Sequence, residues 1–504
     1  MVNPIAPGLV IAGMHSHVGK TLITAGLLRS FRDLYGPRES IVGFKVGPDY
    51  IDPGYHQLAS GQPCRNLDPV LCGEDRILPL YRYGAEGHRL ALVEGVMGLY
   101  DGRMDLAADA PRIPFGSTAH VAQLLTLPII LVVDGSHTSD TLAALLYGIR
   151  TYPAEDSATS LRFAGALLNR VTSTRHEAIL ERACQRAGFP VLGAIPTLPA
   201  AERPSRHLGL ITTAEARHDT DEALDSFAAH LQTHCDVKTL AALAEPACPT
   251  LETAPWSPIS ALHHDARNVS LSFTASPTPV PSSAETPSSS PPPTIVVYGG
   301  PAFSFTYPEE VELLRAAGAH VHLLDPTTDQ LPDSAAGILI PGGFPEEHLT
   351  DLTQNHTLLA SIRAAAHAGM PIWAECAGLV YLSTALDGTP LADVLPCHTT
   401  FSGPLTMGYR EATCTASSWA FHSGEHINGH EFHRTHITEP VAHHNLSTAW
   451  QWESHDHHNV VAEGWASPTL YASYLHTHPV ARPAVARRFV RAAQHYRHTH
   501  EGNV

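Results

Sequence analysis

Short apolar runs alternate with amphipathic segments along the first half of the chain. The runs are nearly continuous in hydrophobic residues and partly β-branched, which is typical of strands buried on both faces. They lie at residues 9–12, 41–46, 90–94, 129–134 and 163–168. Helical spacing of apolar residues is found between them, at residues 20–31, 118–125, 140–149 and 175–187. This alternation predicts an α/β domain built on a parallel sheet.

The same alternation starts again near residue 295. Strand patterns lie at residues 295–298, 320–324, 337–340 and 371–375, and helical patterns at 308–317, 358–367 and 481–498. We therefore expect a second α/β domain that is closed by a C-terminal helix.

The region between the two patterns is rich in Pro, Ser and Thr and has no clear periodicity. Such a composition is typical of a linker, and we expect residues 276–293 to be disordered. A chain of 504 residues also exceeds what one hydrophobic core usually supports. The predicted organisation is a domain at residues 1–245, a linker at 246–294 and a domain at 295–498.

Composition limits the classes of partner. The chain is 43% hydrophobic and carries a formal net charge of −18, which argues against binding a nucleic-acid backbone. Its eight cysteines form no CxxC pair, and the N-terminus lacks the pattern of a signal peptide. The apolar run at residues 127–133 is too short to span a bilayer. We expect a cytoplasmic protein with reduced thiols and no membrane partner.

A phosphate-binding loop is predicted where the first strand passes into the first helix. The segment runs from Gly13 through Gly19 to Lys20 and Thr21. Backbone N–H groups and the helix N-terminus favour a polyphosphate there; Lys20 would contact the β- and γ-phosphates of ATP, and Thr21 would bind Mg²⁺. The spacing is similar to that of dethiobiotin-synthetase-like ATPases, except that His17 replaces a Gly and would need a positive φ. The alternative is an ordinary strand–turn–helix.

Charged residues follow two further strands of this domain. Lys45, Asp49 and Asp52 come after the strand at 41–46, Glu94 ends the strand at 90–94, and Asp101 follows on a loop. Ligands of open parallel sheets bind at these strand ends, and Glu94 is placed like an acid that holds Mg²⁺. The alternative is that the acids cap helices and turns.

A candidate nucleophile lies in the second domain. Cys376 is expected at a sharp turn between the strand at 371–375 and a helix at 377–386, where the helix dipole would lower the pKa of the thiol. The N–H of Ala377 and the loop with Gly342 and Gly343 could bind an oxyanion. His476 is the candidate base. A buried cysteine that merely fills space is the alternative.

Several segments together resemble one family, the cobyrinate a,c-diamide synthases, which include the hydrogenobyrinate enzymes. In order, they are KVGPDYIDPG (45–54), EGVMGLYDG (94–102), GSTAH (116–120), LLNRV (167–171), AFSFTYPE (302–309), PGGFPE (341–346), AECAGL (374–379) and ASYLHTH (472–478). The resemblance implies a P-loop domain joined to a class I glutamine amidotransferase domain.

The resemblance also implies an activity: ATP-dependent amidation of the a and c carboxylates of cobyrinate or hydrogenobyrinate, through an acyl phosphate and with nitrogen from glutamine. Lys45 would face the transferring phosphate, and Asn169 would contact adenine. The corrinoid carboxylates would be positioned or activated by Asp49, Tyr50, Ile51, Asp52 and Asp101. The segment at 429–433 resembles a family block in the second domain and is expected to have a structural or pocket-lining role.

The chain departs from the family pattern at three points of the second domain. Ala377 and the pair Gly299 and Gly300 replace usual residues, and His478 stands where many amidotransferases have Glu, so a Cys–His pair is predicted without a third member. The alternatives are a nickel-sirohydrochlorin a,c-diamide synthase, a ParA/MinD-like nucleotide switch, and a second domain that supplies no ammonia. The sequence leaves the oligomeric state open, with a homodimer as one alternative.

Overall fold

The fold was analysed in a computed structural model that describes residues 5–36, 38–103, 113–152, 161–197, 217–247, 253–263, 291–440, 446–454 and 459–501. The chain divides into two compact units, Met1–Trp256 and Ser257–Val504. Of the predicted linker at 246–294, residues 248–252 and 264–290 lie outside the described residues, and they include most of the segment at 276–293 that is predicted to be disordered. The predicted domain limits at 245 and 295 remain predictions.

Seven parallel strands form the sheet of the first unit within its described residues, in the order β3-β2-β4-β1-β5-β6-β7. They are β1 (Gly8–Gly13), β2 (Ile41–Val46), β3 (Arg65–Leu67), β4 (Leu90–Glu94), β5 (Ile129–Asp134), β6 (Phe163–Val171) and β7 (Val191–Pro196). Every residue of β1, β2 and β4 is buried, which explains why these strands read as continuous apolar runs.

Helices connect the strands of the first unit. They are α1 (Lys20–Tyr35), α2 (Asp52–Ser60), α3 (Pro69–Cys72), α4 (Ile77–Ala85), α5 (Thr118–Leu125), α6 (Leu142–Thr151), α7 (Thr174–Ala187), α8 (Arg217–His234) and α9 (Val237–Ala242), with a 3₁₀ turn at Glu74–Arg76. The long helix α1 packs against α2 and α8. This packing fixes the N-terminal end of α1, where the phosphate loop is predicted.

The second unit has a larger mixed sheet, in the order β21-β16-β15-β18-β19-β20-β11-β10-β8-β9 among the described residues. The half from β20 to β9 is parallel, and the rest is antiparallel. The strands are β8 (Thr294–Tyr298), β9 (His320–Leu324), β10 (Ala335–Ile340), β11 (Ile372–Glu375), β15 (Thr406–Cys414), β16 (His426–His433), β18 (Ser447–Glu453), β19 (Val460–Ala466), β20 (Leu470–Ser473) and β21 (His476–Thr477).

A small sheet, a short helix at residues 258–263 and five further helices complete the described part of the second unit. The small sheet has the order β13-β12-β14-β17 and consists of β12 (Ser383–Leu386), β13 (Thr389–Pro390), β14 (Leu395–Thr400) and β17 (His436–Pro440). The helices are α10 (Pro308–Ala316), α11 (Leu349–Gln354), α12 (His356–His367), α13 (Ala377–Leu382) and α14 (Pro483–Glu501), with 3₁₀ turns at Pro345–His348 and Pro479–Ala481.

The α/β class predicted for both halves is confirmed, but one predicted helix is too long. Helix α13 ends at Leu382, and the next four residues form β12, which pairs with β13 and β14. The sequence prediction also missed β12–β19. No helix in the described part of the chain is long and apolar enough to cross a membrane.

The start of helix α13, directly after the turn from β11, depends on a glycine at position 378. A Cβ on Gly378 would lie 2.2 Å from the carbonyl oxygen of Ile340 in β10, a backbone atom that has little room to move. We expect Gly378→Ala to lower the free energy of unfolding by about 1–3 kcal/mol, as overpacking usually does. Denaturant titration followed by circular dichroism measures the change.

The matched control is Gly299→Ala, where no described heavy atom lies within 4 Å of the added Cβ. Its stability should change by less than about 0.5 kcal/mol. Equal unfolding midpoints for the two variants would show that the turn tolerates a side chain at Gly378.

Candidate functional site

The loop between β1 and α1 folds tightly over its first glycine. A Cβ on Gly13 would lie 2.7 Å from Cγ2 of Val18 and 3.0 Å from Cδ of Lys20. Gly19, just before the helix, has a φ of 93°, and His17 has a φ of 63°. His17 therefore adopts the left-handed conformation that the sequence required of it, at a cost of roughly 1–2 kcal/mol. The loop keeps the curvature of a phosphate-binding loop despite this replacement.

Lys20 and Thr21 both turn toward the loop that follows β4. The Lys20 ammonium donates to the carbonyl of Met97 at 2.6 Å and to that of His15 at 3.3 Å. The Thr21 hydroxyl donates to Oε1 of Glu94 at 2.8 Å. Burial lowers the pKa of Lys20, and the charge of Glu94 opposes this effect. The first helical turn thus holds one cation and one hydroxyl beside a buried carboxylate.

Asn169, at the end of β6, braces the phosphate loop from the other side. Its amide donates to the carbonyl of Val18 at 2.8 Å, and a Cβ on Gly19 would lie 2.5 Å from the same nitrogen. This contact explains why the loop has a glycine at position 19. Recognition of adenine by Asn169 remains a prediction.

Lys45 lies between two carboxylates at the end of β2. Its ammonium is 2.6 Å from Oδ2 of Asp52 and 3.1 Å from Oε1 of Glu94, and all three side chains are almost fully buried. Burial favours the neutral amine, but the charges of Asp52 and Glu94 outweigh it and raise the pKa of Lys45. Burial also raises the pKa of Asp52, with further contributions from the charges of Asp49 and Glu94. These residues form one electrostatic unit beside the phosphate loop.

The sequence analysis missed His56, which completes this cluster. His56 lies in α2, is fully buried, and places Nε2 at 2.7 Å from Oε2 of Glu94. Burial opposes ionisation of Glu94, but the charge of Lys45 and the contacts of His56 and Thr21 lower its pKa to about 2. The local sequence gave no signal for His56, because a single histidine within a helix matches no catalytic or ligand-binding motif.

Two other predicted acids take structural contacts. Oδ1 of Asp49 accepts from the backbone N–H groups of Ile51 at 2.8 Å and Asp52 at 2.9 Å, and Oδ2 of Asp101 accepts from that of Gly98 at 2.8 Å. These are the capping and turn roles named above as the alternative. Because Asp101 still acts electrostatically on Lys20, it belongs to the same site.

Tyr50 and Ile51 lie between the capping acid Asp49 and α2. Ile51 is buried at 8% exposure, whereas Tyr50 is half-buried. Contact of these two residues with a substrate remains a prediction.

In the second unit, Cys376 occupies the sharp turn predicted for it. Its φ of 51° and ψ of −102° lie outside the usual regions, and its N–H donates to the carbonyl of Ser473 at 2.7 Å. The bond ties the turn to β20, which pairs with β11. Strain of this kind is common where a nucleophile must project from a turn.

The structure corrects the expected acidity of Cys376. Helix α13 has six residues, and the thiol is buried, so burial raises the pKa of Cys376 instead of lowering it. The charge of Glu346 acts in the same direction, and the N–H of Ala377 opposes both. The thiol is therefore protonated in this conformation, and a base must remove its proton.

His476 lies three residues beyond the Ser473 carbonyl that binds the N–H of Cys376. It is 1% exposed and pairs with His430 of β16. Burial, together with the charges of His430 and His433, lowers its pKa to about 3. The ring is therefore neutral and is a weaker base than an exposed imidazole, and the role of His476 as the base remains a prediction.

The glycine loop after β10 reaches this histidine. A Cβ on Gly342 would lie 2.5 Å from Cε1 of His476, and one on Gly343 would lie 2.1 Å from the carbonyl oxygen of Ala302. Any larger residue would push the loop away from the ring. The structure brings Gly342 next to the predicted base; the oxyanion role of Gly342, Gly343 and Ala377 remains a prediction.

The segment at 429–433 lies close to the thiol, and its structural or pocket-lining role remains a prediction. The carbonyl of Phe432 is 3.8 Å from Sγ of Cys376, and the ring of His433 stacks on Tyr474 with centroids 4.0 Å apart. Glu431 binds Arg410 at 2.6 Å. Burial opposes its ionisation, but His433 and Arg410 lower its pKa. The thiol therefore lies beside the end of β16, and the charge of Glu431 contributes to the rise in the pKa of Cys376.

Oxygen donors for a metal ion are present in the first unit. The Thr21 hydroxyl and Oε1 of Glu94 are hard ligands of the kind that Mg²⁺ prefers, and Mg²⁺ usually takes few protein ligands beside phosphate and water. The residues present therefore fit this ion. Among the described residues, no group of three or more His, Cys, Asp and Glu side chains could hold a metal.

Two family models match the chain. The model for the CobQ/CobB/MinD/ParA nucleotide binding domain matches residues 9–211, and that for the CobB/CobQ-like glutamine amidotransferase domain matches residues 294–484. Each match lies in one unit and covers one of the two clusters.

Relatives match along the whole chain. Hydrogenobyrinate a,c-diamide synthase of Mycobacterium bovis is 42% identical over 96% of this chain and 97% of its own length, and that of Streptomyces coelicolor is 41% identical over the same shares. Cobyrinate a,c-diamide synthase of a Synechococcus strain is 36% identical over 96% of this chain and 98% of its own.

The low pKa of His476 predicts that its ring stays neutral between pH 5 and pH 8. The folded protein resists a proton that the unfolded chain accepts near pH 6.5, so this residue removes stability as the pH falls below that value. In protein labelled with ¹³C at histidine, the His476 signal, assigned by its loss in His476→Gln, should not shift in this range. A titration midpoint near pH 6.5 for this signal would contradict the lowered pKa of His476.

Proposed function

Because the chain belongs to the hydrogenobyrinate and cobyrinate a,c-diamide synthase family, we propose that it amidates the a and c carboxylates of a corrinoid, with glutamine as nitrogen donor. ATP would activate each carboxylate. One observation carries the proposal: a nucleotide-type cluster around Lys20 and Glu94 and a thiol–imidazole cluster around Cys376 and His476 occur in one chain.

The first cluster fits carboxylate activation. A carboxylate oxygen would attack the γ-phosphorus of ATP, ADP would leave, and the resulting acyl phosphate has a far better leaving group than the carboxylate. Lys20 and Lys45 would neutralise charge on the transferring phosphoryl group. Thr21 and Glu94 would hold Mg²⁺, which supplies further positive charge at the phosphates. Asp52 and Asp101 would position the substrate carboxylate or take up protons.

The second cluster fits release of ammonia from glutamine. His476 would accept the proton of the Cys376 thiol while sulfur attacks the amide carbon, and the proton would then pass to the departing ammonia. The N–H of Ala377 and the loop at Gly342 and Gly343 would stabilise the oxyanion. Water would hydrolyse the thioester to give glutamate. The ammonia would attack the acyl phosphate carbonyl, release phosphate and leave the amide.

Two alternatives predict different products. A nickel-sirohydrochlorin a,c-diamide synthase would use the same chemistry on another tetrapyrrole, whereas a ParA/MinD-like switch would make no amide and would have no use for Cys376. The named relatives favour a corrinoid. A cytoplasmic location and a homodimer remain predictions.

Incubation with ATP, Mg²⁺, glutamine and one of three tetrapyrroles tests the function directly. Mass spectrometry should detect exchange of OH for NH₂ at two carboxylates of cobyrinate or hydrogenobyrinate, with release of ADP and glutamate. Conversion of nickel sirohydrochlorin instead would change the substrate assignment. The absence of any amide from all three would refute the proposed activity.

Two substitutions should separate the clusters. Cys376→Ser should lower glutamine-dependent synthesis by at least about 100-fold but leave synthesis from ammonium salt intact, because the nucleophile serves only the glutamine step. Lys20→Ala should lower synthesis from either nitrogen source by at least about 100-fold, because it removes charge at the phosphates. Amide formation is measured with each source.

Matched controls are Cys414→Ser, which keeps the contact of that side chain with the carbonyl of Ala416, and Lys238→Ala at an exposed site of the first unit. Both controls should retain synthesis from either source. Loss of ammonium-dependent synthesis in folded Cys376→Ser would contradict separate clusters.

A further inference from the structure

Glu375 is a buried carboxylate that immediately precedes the candidate nucleophile. It ends β11 and is 8% exposed. Its Oε1 accepts from the indole N–H of Trp373 at 3.1 Å and from the hydroxyl of Thr477 at 2.9 Å. The two donors fix the plane of the carboxylate and direct Oε2 elsewhere.

The direction of Oε2 is toward the candidate base. It lies 3.8 Å from Nδ1 of His476, whose ring is 1% exposed. Burial raises the pKa of Glu375 to about 7, although the bonds from Thr477 and Trp373 oppose the shift. Burying a carboxylate costs free energy unless a positive partner offsets it. An imidazolium at His476 would be such a partner.

His478, at the position where many amidotransferases have an acid, has a different task. Its ring is fully buried, accepts from the N–H of Val480 at 3.3 Å, and packs on Tyr307 with ring centroids 4.1 Å apart. These contacts cap the turn at Pro479–Ala481. His478, which stands where many amidotransferases have an acid, thus closes the turn that follows β21.

We propose that Glu375 is the positioning residue for His476, so that the acid of this catalytic group comes from the residue before the nucleophile. The proposal rests on the proposed glutamine hydrolysis. With the Nδ1 proton toward Glu375, Nε2 carries the lone pair that accepts the proton of the Cys376 thiol as the sulfur–carbon bond forms. The imidazolium then faces the Glu375 carboxylate, which shortens the contact, and the proton passes from Nε2 to the departing ammonia.

Thr477 supports this arrangement from the strand that carries the base. It follows His476 directly in β21, and its hydroxyl holds the opposite oxygen of Glu375. The carboxylate and the imidazole are therefore fixed relative to each other through two neighbouring residues of one strand. A group that acts through another side chain in this way affects turnover more than substrate binding.

Glu375→Gln in the full-length protein tests the proposal, because the amide keeps the shape and loses the charge. The kcat for glutamate release from glutamine should fall at least about tenfold, with the KM for glutamine changed by less than about twofold. Amide synthesis from ammonium salt should stay at the wild-type rate. This split distinguishes positioning from a loss of folding, which would lower both activities.

His478→Asn is the matched control, since asparagine can still accept from the N–H of Val480. It should keep at least about half of the wild-type kcat with glutamine. Thr477→Val provides a second variant, which removes one bond to Oε1 and should lower kcat about threefold or more. It carries the test if Glu375→Gln fails to fold.

Three results would overturn the proposal: an unchanged kcat in folded Glu375→Gln, an unchanged kcat in Thr477→Val where Glu375→Gln does not fold, or a larger loss in His478→Asn than in Glu375→Gln. Glutamate release is measured with glutamine alone, and circular dichroism reports whether each variant folds. Failure of the wild-type protein to make a corrinoid amide would therefore contradict the proposed function, whereas the effect of Glu375→Gln on glutamate release would still decide this proposal.

Discussion

Both units depend on the fact that parallel strands bring their carboxyl ends to one edge of the sheet. In the first unit, β4 lies between β2 and β1, so Glu94 at its end is flanked from both sides. Lys45, in β2, reaches it from one side, and Thr21, in the first turn of the helix α1 that follows β1, reaches it from the other. The strand order therefore decides that one carboxylate contacts both the lysine and the phosphate loop.

The second unit repeats this arrangement with different side chains. Strand β11 lies between β10 and β20, so the turn that carries Cys376 is flanked by the strand that leads into the Gly342 loop and by the strand that ends at Ser473, whose carbonyl binds the N–H of Cys376. His476 follows β20 by three residues and lies against Gly342. In each unit the central strand carries one candidate residue at its carboxyl end, and residues in or after the neighbouring strands surround it. The same topological rule thus underlies a charged cluster in one unit and a candidate thiol site in the other.

The sequence predicted the individual strand ends but not their neighbours. Lys20, Lys45, Glu94 and Cys376 follow apolar runs, and that local signal suffices to select them. Strand order depends on long-range packing, so no local pattern could select His56, which contacts Glu94 from α2. The same holds for the pairing of Glu375 with His476, and for β15, whose Gly, Thr and polar residues carry no buried-strand pattern.

The two clusters differ in the charge of their buried groups. The difference depends on whether an opposite charge lies close enough to offset the effect of burial. Beside Glu94, the Lys45 ammonium at 3.1 Å and the contacts of His56 and Thr21 keep the carboxylate ionised inside the sheet, so the first cluster presents formal charges before any ligand arrives. Around Cys376, no comparable cation among the described contacts offsets burial of the thiol, and both Cys376 and His476 are held neutral. If Cys376 is the nucleophile proposed above, charge at the sulfur arises together with transfer of its proton to the base. Burial then favours the less reactive protonated form, because the thiolate and not the thiol is the nucleophile.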